Sequence, residues 1–405
     1  MPGYLGRSQP LRGRIADGVH RHWLEVLSRR QGIPIAATIA LMASEVTIIG
    51  AGPAGSAAAI LLARRGWAVT LIEQHRFPRD KVCGECLSPL GIEVLGRMGL
   101  THEIERLHPT VLRHAAIHTL AGVSTVVPMH WPMWGLSRHA FDQFLLDAAR
   151  QAGAGVLQPA RCESIEPGPP IVVRVRVLPS NEIWTLRPEH VIVADGKSGF
   201  FGVSPPRTND FGIKAHFVDV DGPCDTIELF GCDGLYGGLA AIESDRWNAA
   251  FSVPAWRLRR HRGNLGAIFA QLTTENPILA RRLRGARQTG DWLAAPLPRY
   301  SVQAAWPAGM VPVGNAAAAL EPIGGEGMGL ALASAEYAVA SLTNTDPASN
   351  SRMLSRDYHR LWRVRRPACR AAAQIVSRPE LASSLTPLLN HLPVSRKLAL
   401  KLLGK

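Results

Sequence analysis

The sequence predicts an α/β protein with a parallel sheet, a second and mostly antiparallel sheet, and a helical C-terminal tail. Three observations support this prediction. Residues 46–49 are a short β-branched run of the kind that forms a buried parallel strand, and an Ala/Leu-rich helical segment follows at 54–65. Residues 211–253 contain several short strand-like runs separated by turn residues. Residues 351–405 are rich in Arg and Leu and have helical patterning.

The predicted domains are interleaved along the chain. An N-terminal extension at 1–43 is followed by a first domain at 44–204 and 300–345, a second domain at 205–299, and a basic helical tail at 346–405. Residues 111–136 carry short strand-like pieces that belong partly to the second sheet. A chain of 405 residues is long enough for two such domains.

The first 43 residues admit three interpretations. The favoured one is a disordered extension, or a start codon assigned too far upstream, because Met42 directly precedes the first strand. The second is an amphipathic helix at about 20–30. The third is an export signal, since Arg29 and Arg30 precede an apolar stretch, but that stretch is short and no cleavage site is evident.

The charge distribution limits the classes of partner. The net charge is +13, with 46% hydrophobic and 19% charged residues, as in globular proteins. Residues 347–405 carry twelve Lys and Arg against Asp357 and Glu380, whereas residues 44–346 are nearly neutral. The neutral centre argues against nucleic acid as a partner, and the basic tail leaves peripheral contact with an anionic membrane open.

The sequence contains no run of 18 apolar residues, so no membrane-spanning helix is predicted. Six cysteines without a disulfide pattern predict a cytoplasmic protein.

A glycine-rich turn supplies the strongest functional signal. Gly50, Gly52 and Gly55 form G-x-G-x-x-G between the first strand and the first helix, and Glu73 ends the second strand. The first glycine allows the tight turn, the second lets a pyrophosphate approach the backbone, and the third allows close helix packing. A carboxylate at the end of the second strand can accept hydrogen bonds from a ribose. The pattern predicts a dinucleotide site.

Cys83 and Cys86 form a C-x-x-C pair in the loop before a helix predicted at 88–98. A redox dithiol is one interpretation, yet disulfide-reducing flavoproteins use a wider spacing and a second glycine fingerprint, which does not occur in this sequence. A zinc site is less favoured because no second ligand pair follows, and we predict no metal. The favoured interpretation is that Cys83 packs beside a bound ring system.

Two further segments are predicted to end at the same edge of the parallel sheet. A meander ends in a buried-type strand, and Asp195 and Gly196 follow at its C-terminal end, where ligands bind in such sheets. Another strand ends at Asn315, and a glycine-rich loop then leads into a helix at 327–342. The N-terminus of that helix predicts a second cradle for an anion or a ring edge.

The middle of the chain supplies the remaining elements. Arg138 precedes an amphipathic helix at 140–152, a position that the helix dipole makes unfavourable for a cation. A role at the site and an ordinary surface charge are its two interpretations. The second sheet is predicted from strands at 211–220, 226–230, 239–243 and 247–253, with one helix at 265–284. This sheet is the expected floor of a substrate site.

Three motifs therefore stand at strand ends: GAGPAG with Glu73, VADG at 193–196, and VGNAAAALEPIGGEGMG at 313–329. In this order and spacing they resemble the single-Rossmann FAD enzymes of the p-hydroxybenzoate hydroxylase and geranylgeranyl reductase group, over residues 44 to about 345. The segment PRDKVCGECLSP is similar to PRxKxCGExLSP of the geranylgeranyl reductase branch. The resemblance implies a Rossmann-type FAD-binding domain with FAD as cofactor. It also implies NADPH or NADH as a transient electron donor without a nucleotide-binding fold of its own.

The resemblance implies roles for fourteen residues. The ADP half of FAD would be held by Gly50, Gly52, Ala54, Gly55 and Glu73. The flavin side would be lined by Cys83, Gly84 and Cys86, and the cofactor would also be contacted by Arg138. The pyrophosphate and nicotinamide groove would adjoin Asp195 and Gly196, and the isoalloxazine would lie over Gly327 and Met328. Asn315 stands where the family usually has an Asp that binds the ribityl chain; the amide keeps a hydrogen bond and loses the charge.

The chemistry that the resemblance implies is hydride transfer from a reduced nicotinamide to flavin, followed by oxygen activation or hydride delivery to a double bond. The first expectation is a monooxygenase that hydroxylates an aromatic or polyketide- or lipid-like small molecule, with an apolar substrate as partner. The alternative is reduction of isoprenoid double bonds, as in geranylgeranyl reductases. A third hypothesis, a non-catalytic FAD-binding protein, rests on Asn315 alone. Halogenation is disfavoured because W-x-W-x-I-P is missing. We assign no catalytic residue and treat His216 and Glu321 as structural.

Overall fold

The computed structural model describes residues 44–196, 199–200, 210–298, 300–303, 305–343 and 347–384. The predictions for residues 1–43, and those for the tail beyond residue 384, lie outside this range. Within the described part of the chain, no helix combines the length and apolarity that crossing a bilayer requires.

The strands and helices are numbered in chain order. The strands are β1 (Val46–Ile49), β2 (Val69–Ile72), β3 (Cys86–Leu87), β4 (Thr110–His118), β5 (Ser124–Gly135), β6 (Gly155–Leu157), β7 (Ala160–Glu166), β8 (Val172–Val177), β9 (Ile183–Leu186), β10 (His190–Val193), β11 (Asp210–Val218), β12 (Thr226–Cys232), β13 (Leu235–Ala241), β14 (Trp247–Pro254), β15 (Arg287–Pro296) and β16 (Met310–Pro312). The helices are α1 (Pro53–Ala63), α2 (Pro89–Arg97), α3 (Thr101–Glu105), α4 (Arg138–Gln151), α5 (Ala255–Arg260), α6 (Leu265–Glu275), α7 (Pro277–Arg282), α8 (Gly327–Leu342), α9 (Pro347–Arg363) and α10 (Arg365–Val376).

A five-stranded parallel sheet forms the first layer, in the order β16-β10-β1-β2-β6. Every residue of β1 and β2 is buried, because helices cover one face and the small sheet β7-β8-β9 covers the other. Burial on both faces explains why these strands are continuous apolar runs without alternation. The parallel strands end together at the edge where the predicted site motifs follow.

A curled eight-stranded mixed sheet forms the second layer, in the order β15-β11-β14-β13-β12-β4-β5-β3. Its neighbours are antiparallel except β12 and β4, which run parallel. The strands β4 and β5 are nine and twelve residues long, although the sequence suggested only short pieces there. The pairing register shifts between Leu112, which lies opposite Met133, and His114, which lies opposite Pro128. This irregularity and the prolines obscure the alternation of apolar and polar residues from which a long strand would be predicted.

The single helix predicted at 265–284 is two helices in the structure. The break lies at Asn276, whose side chain accepts hydrogen bonds from the amides of Ile278 and Leu279, both 3.1 Å long. Pro277 follows as the first residue of α7, where its missing N–H costs nothing. The two helices cover one face of the second sheet, and Phe269 packs there against Phe217 and Phe251.

The C-terminal helices α9 and α10 pack against both sheets. The Tyr358 hydroxyl donates to the carbonyl oxygen of Pro312 at 2.7 Å, and Trp362 is fully buried beside it. At the other end, Gly231 of β12 approaches the backbone of Val376 so closely that a Cβ would lie 2.4 Å from its carbonyl oxygen. These helices therefore close the space between the end of the parallel sheet and the second sheet.

Candidate active site

A cavity lies between the C-terminal edge of the parallel sheet and the curled second sheet, and it encloses about 1730 Å³, including the part open to solvent. Ten of the fourteen residues predicted for the cofactor line it: Gly52, Ala54, Cys83, Gly84, Cys86, Arg138, Gly196, Asn315, Gly327 and Met328. The other four, Gly50, Gly55, Glu73 and Asp195, do not line it. Gly50, Glu73 and Asp195 follow the ends of β1, β2 and β10, and Gly55 lies in the first turn of α1.

The glycine-rich turn builds the first cradle. Gly50 has φ +99°, and a Cβ there would lie 2.5 Å from the carbonyl oxygen of Ala194. A Cβ on Gly55 would lie 1.8 Å from the carbonyl oxygen of Gly50. Gly52 is different, because a Cβ there would meet only Nη2 of Arg138, at 3.8 Å. Gly50 and Gly55 thus permit the turn itself, whereas Gly52 leaves space on the cavity side.

The N-terminus of α1 opens on this space without a side-chain cap. Its backbone N–H groups and the helix dipole favour an anionic group such as a phosphate. Glu73, buried at the end of β2, accepts hydrogen bonds from the amide of Ala51 at 3.0 Å and from that of His75 at 2.7 Å. The open cradle, the uncapped helix and this carboxylate fit the ADP half of FAD.

A second cradle lies at the start of α8. Gly325 has φ +65°, and a Cβ on Gly327 would meet no atom within 4 Å, so the helix N-terminus is open towards the cavity. Gly329 packs α8 tightly against α2, since a Cβ there would lie 2.2 Å from the hydroxyl of Ser88. Asn315 lies in a short turn after β16 and lines the same cavity. This arrangement leaves room for the edge of a ring system.

Arg138 is buried, with 8% of its surface exposed, so it is not an ordinary surface charge. Its Nε and Nη2 donate to the two carboxylate oxygens of Asp142, each at 2.7 Å. Burial works against the charge, but the carboxylate of Asp142 outweighs it and raises the pKa of Arg138. The side chain therefore places a permanent positive charge beside Gly52.

The C-x-x-C loop forms another side of the cavity. Cys83 is half-buried and Cys86 is buried, and they form no disulfide with each other. Between them, Glu85 adopts φ +56°, an uncommon conformation for a residue with a side chain. The Glu85 amide donates to the sulfur of Cys83, and the Cys86 thiol donates to the carbonyl oxygen of Gly84. The redox and non-redox interpretations of this pair both remain predictions.

Glu85 is held by a cluster of charged groups that the sequence analysis missed. Its Oε1 accepts from the amide of Arg138 at 2.9 Å and from Nζ of Lys214, and its Oε2 lies 2.6 Å from Nε2 of His216. Burial opposes ionisation of Glu85, but His216 and Lys214 lower its pKa. His216, which the sequence predicts to be structural, contacts both Glu85 and Lys214.

Asp80, Glu85 and His216 lie close enough to hold a metal ion in common. However, the ammonium group of Lys214 lies 3.3 Å from Asp80, 3.1 Å from His216 and in contact with Glu85. A cation of the protein thus takes the place that a metal ion would need. We assign the cluster to holding the C-x-x-C loop against β11.

The side of the cavity formed by the second sheet is apolar. Phe251 lies across Gly237, where an added Cβ would be 1.9 Å from the phenyl Cδ1. The helix α9 adds Trp362 to the same cavity. The remaining apolar side chains of this wall come mainly from the second sheet and the segments beside it: Ile213, Ile227, Leu229, Leu239, Leu297 and Leu320.

Polar groups also contribute to this wall. Tyr236 lines the cavity, and its hydroxyl lies 2.6 Å from Oε1 of Glu321. The hydroxyl of Tyr300 lies 3.2 Å from the same oxygen. Burial raises the pKa of all three groups. Glu321 was treated as structural from the sequence, because nothing local indicates the two tyrosines.

Asp195 and Gly196 follow β10 at the sheet edge. Burial raises the pKa of Asp195, although backbone hydrogen bonds from Gly199 and Phe200 oppose the shift. Gly196 has φ +74° and lies close to Nζ of Lys81. Residues 197–198 and 201–209, which come next, are outside the described range.

The comparisons with known proteins agree with this geometry. The family described as FAD binding domain matches residues 43–215. A menaquinone reductase of Mycobacterium tuberculosis is 26% identical over 351 residues, which cover 79% of this chain and 78% of that protein. A menaquinone reductase of Mycolicibacterium smegmatis is 38% identical over 89 residues, and the chain spans only 20% of its length. A kynurenine 3-monooxygenase of Xanthomonas oryzae is 30% identical over 186 residues, 43% of this chain and 40% of that protein.

Solved structures share the fold over most of the chain. A triple mutant of the flavin-dependent brominase Bmp2 aligns with a TM-score of 0.74 at 18% identity, covering 89% of this chain and 94% of that one. A geranylgeranyl bacteriochlorophyll reductase-like protein from Thermoplasma acidophilum aligns with a TM-score of 0.73 at 18% identity, covering 89% and 96%.

The fold and the cavity together define a Rossmann-type FAD-binding protein. Residues 43–215 match the FAD binding domain family, and the chain is an FAD-dependent oxidoreductase with monooxygenases and reductases among its relatives. The resemblance drawn from the three motifs is thereby confirmed, and so is FAD as the cofactor, with NAD(P)H as the donor typical of the group.

Proposed function

We propose that the protein uses FAD, reduced by NADPH or NADH, to reduce carbon–carbon double bonds in an apolar, isoprenoid-type chain. The observation that carries this proposal is the apolar wall. It begins beside the cofactor cradles and runs along the second sheet, where a hydrocarbon chain would replace water against buried Leu, Ile and Phe side chains. When bound, the flavin supplies hydride to the substrate.

The protein's own residues would bind and orient both partners. In this proposal the uncapped N-terminus of α1, with Gly52 and Ala54, holds the pyrophosphate, and Glu73 holds the adenosine ribose. Asp195 and Gly196 adjoin the groove for the nicotinamide donor. The flavin half is assigned to Arg138, Asn315, Gly327, Met328 and the Cys83–Cys86 loop. Residues 44–204 and 300–345 would form the FAD domain, and residues 205–299 with part of 111–136 the substrate domain.

Similarity supports the reductase assignment. The menaquinone reductase of Mycobacterium tuberculosis is matched over 78% of its length, so the similarity includes the second sheet as well as the FAD-binding part. The kynurenine 3-monooxygenase is matched over 43% of this chain. Hydroxylation of an aromatic or polyketide- or lipid-like molecule is the second candidate, supported by that match. A non-catalytic role has less support, because Asn315 keeps a hydrogen-bonding amide in the cavity.

An isoprenoid substrate would be reached at a membrane surface. Helices α9 and α10 expose the arginines 352, 356, 360, 363 and 370, and such a basic face is attracted to anionic lipid headgroups. We therefore propose a cytoplasmic enzyme with peripheral membrane contact through its C-terminal helices. The free thiols of the described cysteines agree with a reducing compartment.

Product mass distinguishes the two activities. Purified protein would be incubated with FAD, NADPH or NADH, and either geranylgeranyl diphosphate, menaquinone or kynurenine, with and without oxygen. The proposal expects an isoprenoid product that gains two hydrogens per double bond and forms without oxygen. A product that gains one oxygen atom, formed only in air, would replace it with the monooxygenase candidate.

A further inference from the structure

The Tyr236–Glu321 pair lies directly behind the apolar wall of the cavity. Tyr236 lines the cavity, and so do Leu320 and Pro322, the two neighbours of Glu321 in the chain. Oε1 of Glu321 lies 2.6 Å from the Tyr236 hydroxyl and 3.2 Å from the Tyr300 hydroxyl. A continuous hydrogen-bonded path therefore leads from the carboxyl group to the surface of the cavity.

Glu321 is half-buried and has partners of a different kind from most carboxylates in the interior. Among the described residues, five buried carboxylates form ion pairs with Lys or Arg: Glu85, Asp142, Glu228, Glu243 and Glu326. Within the described part of the chain, Glu321 has the two neutral hydroxyls as hydrogen-bond partners and no ion pair. A carboxylate removed from water without a cation is costly, whereas a protonated carboxyl group is neutral and can both donate and accept.

The charged groups around Glu321 come from several elements. Asp210 of β11 disfavours a negative charge on Glu321, and Arg370 of α10 favours it. The hydroxyls of Tyr236 and Tyr300 also favour the ionised form. Burial outweighs these effects and raises the pKa of Glu321. The geometry and the electrostatics thus agree that the Glu321 carboxyl group keeps its proton at a higher pH than an ordinary glutamate does.

We propose that Glu321 is the general acid of the reaction and delivers the proton through the Tyr236 hydroxyl to the double bond that is reduced. This inference rests on the proposed function. One carbon receives hydride with its electron pair, and the π bond breaks. The displaced π electron pair then forms the second C–H bond with the Tyr236 proton. Tyr236 recovers a proton from Glu321, and solvent protonates the remaining carboxylate before the next turnover.

Stability as a function of pH tests the proton on Glu321 without any turnover. A carboxyl group whose pKa is raised on folding binds its proton more tightly in the folded chain than in the unfolded chain. The contribution of such a group to stability is fully present below the pKa of the unfolded chain and is lost as pH rises through the pKa of the folded chain.

The Glu321→Gln side chain has the same shape as Glu321 but does not titrate. The variant should therefore gain stability relative to wild type as pH rises above the ordinary pKa of 4.5. The exposed Glu103→Gln serves as control and should show a constant difference from wild type. A constant difference for Glu321→Gln as well would overturn the proposal.

Turnover tests the donor role. Glu321→Gln and Tyr236→Phe should each lower kcat about 100-fold, the usual contribution of a general acid. Their FAD affinity, measured by flavin fluorescence, and their KM should remain close to those of wild type. The kcat of wild type should fall at high pH, whereas that of Glu321→Gln should not depend on pH, and Glu321→Asp should restore part of the rate.

Two outcomes would contradict the proposal in different ways. If Glu321→Gln and Tyr236→Phe both keep the kcat of wild type and the product still gains two hydrogens, only the assignment of the acid is overturned. A product that gains oxygen overturns the proposed function, and the donor role with it.

Discussion

Arg138 and Asp142 form a buried bidentate ion pair within one turn of helix α4, with both hydrogen bonds 2.7 Å long. Nη1 of Arg79, from the loop before β3, reaches the same carboxylate at 3.0 Å. Asp142 has no exposed side-chain surface, so a single carboxylate offsets two guanidinium groups. The group joins α4 to the Arg79 loop beside the open face of Gly52.

Asp142→Asn should destabilise the protein by about 3–5 kcal/mol, because the buried Arg138 and the half-buried Arg79 lose their counter-charge. Urea unfolding would measure the change. Asp147→Asn on the same helix is the matched control, since its partner Arg150 is 43% exposed and the pair is worth at most about 1 kcal/mol. Equal changes in the free energy of unfolding for the two substitutions would show that the buried pair stabilises the protein no more than the exposed pair does.

Gly52→Val should remove bound flavin while the protein stays folded. The backbone at Gly52 has φ −67°, which any residue can adopt, and its open side faces the cavity, so the valine side chain would fill the pyrophosphate cradle. Flavin absorbance of the purified variant and its circular dichroism would measure the two properties. A yellow variant with normal flavin content would contradict the assignment of this cradle.

Gly55→Ala is the informative contrast in the same turn. Its Cβ would lie 1.8 Å from the carbonyl oxygen of Gly50, so the backbone must move. We expect a loss of about 3 kcal/mol in stability, of the size that overpacking produces. Flavin loss should accompany unfolding in this variant, whereas in Gly52→Val it should occur without unfolding.

The contribution of Glu85 to stability should depend on pH in the opposite sense to that of Glu321. The pKa of Glu85 is lowered in the folded protein. Its stabilising contribution is therefore present above the ordinary pKa of 4.5 and is lost as pH falls through the lowered pKa of the folded protein. Wild type should be more stable than Glu85→Gln at pH 7, by about 3 kcal/mol for a broken buried ion pair. This advantage should shrink below pH 4.5. An advantage that is unchanged at acid pH would mean that Glu85 is not ionised in the folded protein.

Local chemistry made part of this structure predictable. Strand β1, the glycine turn and the second strand can be predicted from adjacent residues, and the cavity is lined by most of the residues assigned from the motifs. The break at Asn276-Pro277 was missed, because the prediction of one helix at 265–284 did not use the local signal of an N-cap residue before Pro. The strand predicted from residue 239 begins at Leu235 in the structure, and Gly237 and Gly238 lie inside it, where glycines weaken the pattern of a strand.

The polar clusters could not be found in the same way. Glu85 and His216 are 131 residues apart, and Tyr236 and Glu321 are 85 apart, so only the tertiary fold brings them together. One signal was available. Lys214 and His216 are two residues apart on one strand and therefore lie on the same face of it, among apolar neighbours. A charged pair on a face that is otherwise buried indicates a partner elsewhere in the chain.

Gly237 should determine how the second sheet packs against its helices. The Phe251 ring lies over Gly237 and packs against Phe269 of α6, so a Cβ on Gly237, 1.9 Å from Cδ1, must displace that ring within the core between the sheet and the helices. We expect Gly237→Ala to lower the free energy of unfolding by about 1–3 kcal/mol, the usual cost of overpacking, and urea unfolding would measure the change. Phe251→Leu in the Gly237→Ala background should restore part of the loss, because the smaller side chain can move aside. Gly238→Ala is the matched control, since its Cβ would be 3.4 Å from the nearest atom, the carbonyl oxygen of Glu228. Equal stabilities of the Gly237→Ala and Gly238→Ala variants would show that the Phe251 ring does not restrict the space at Gly237.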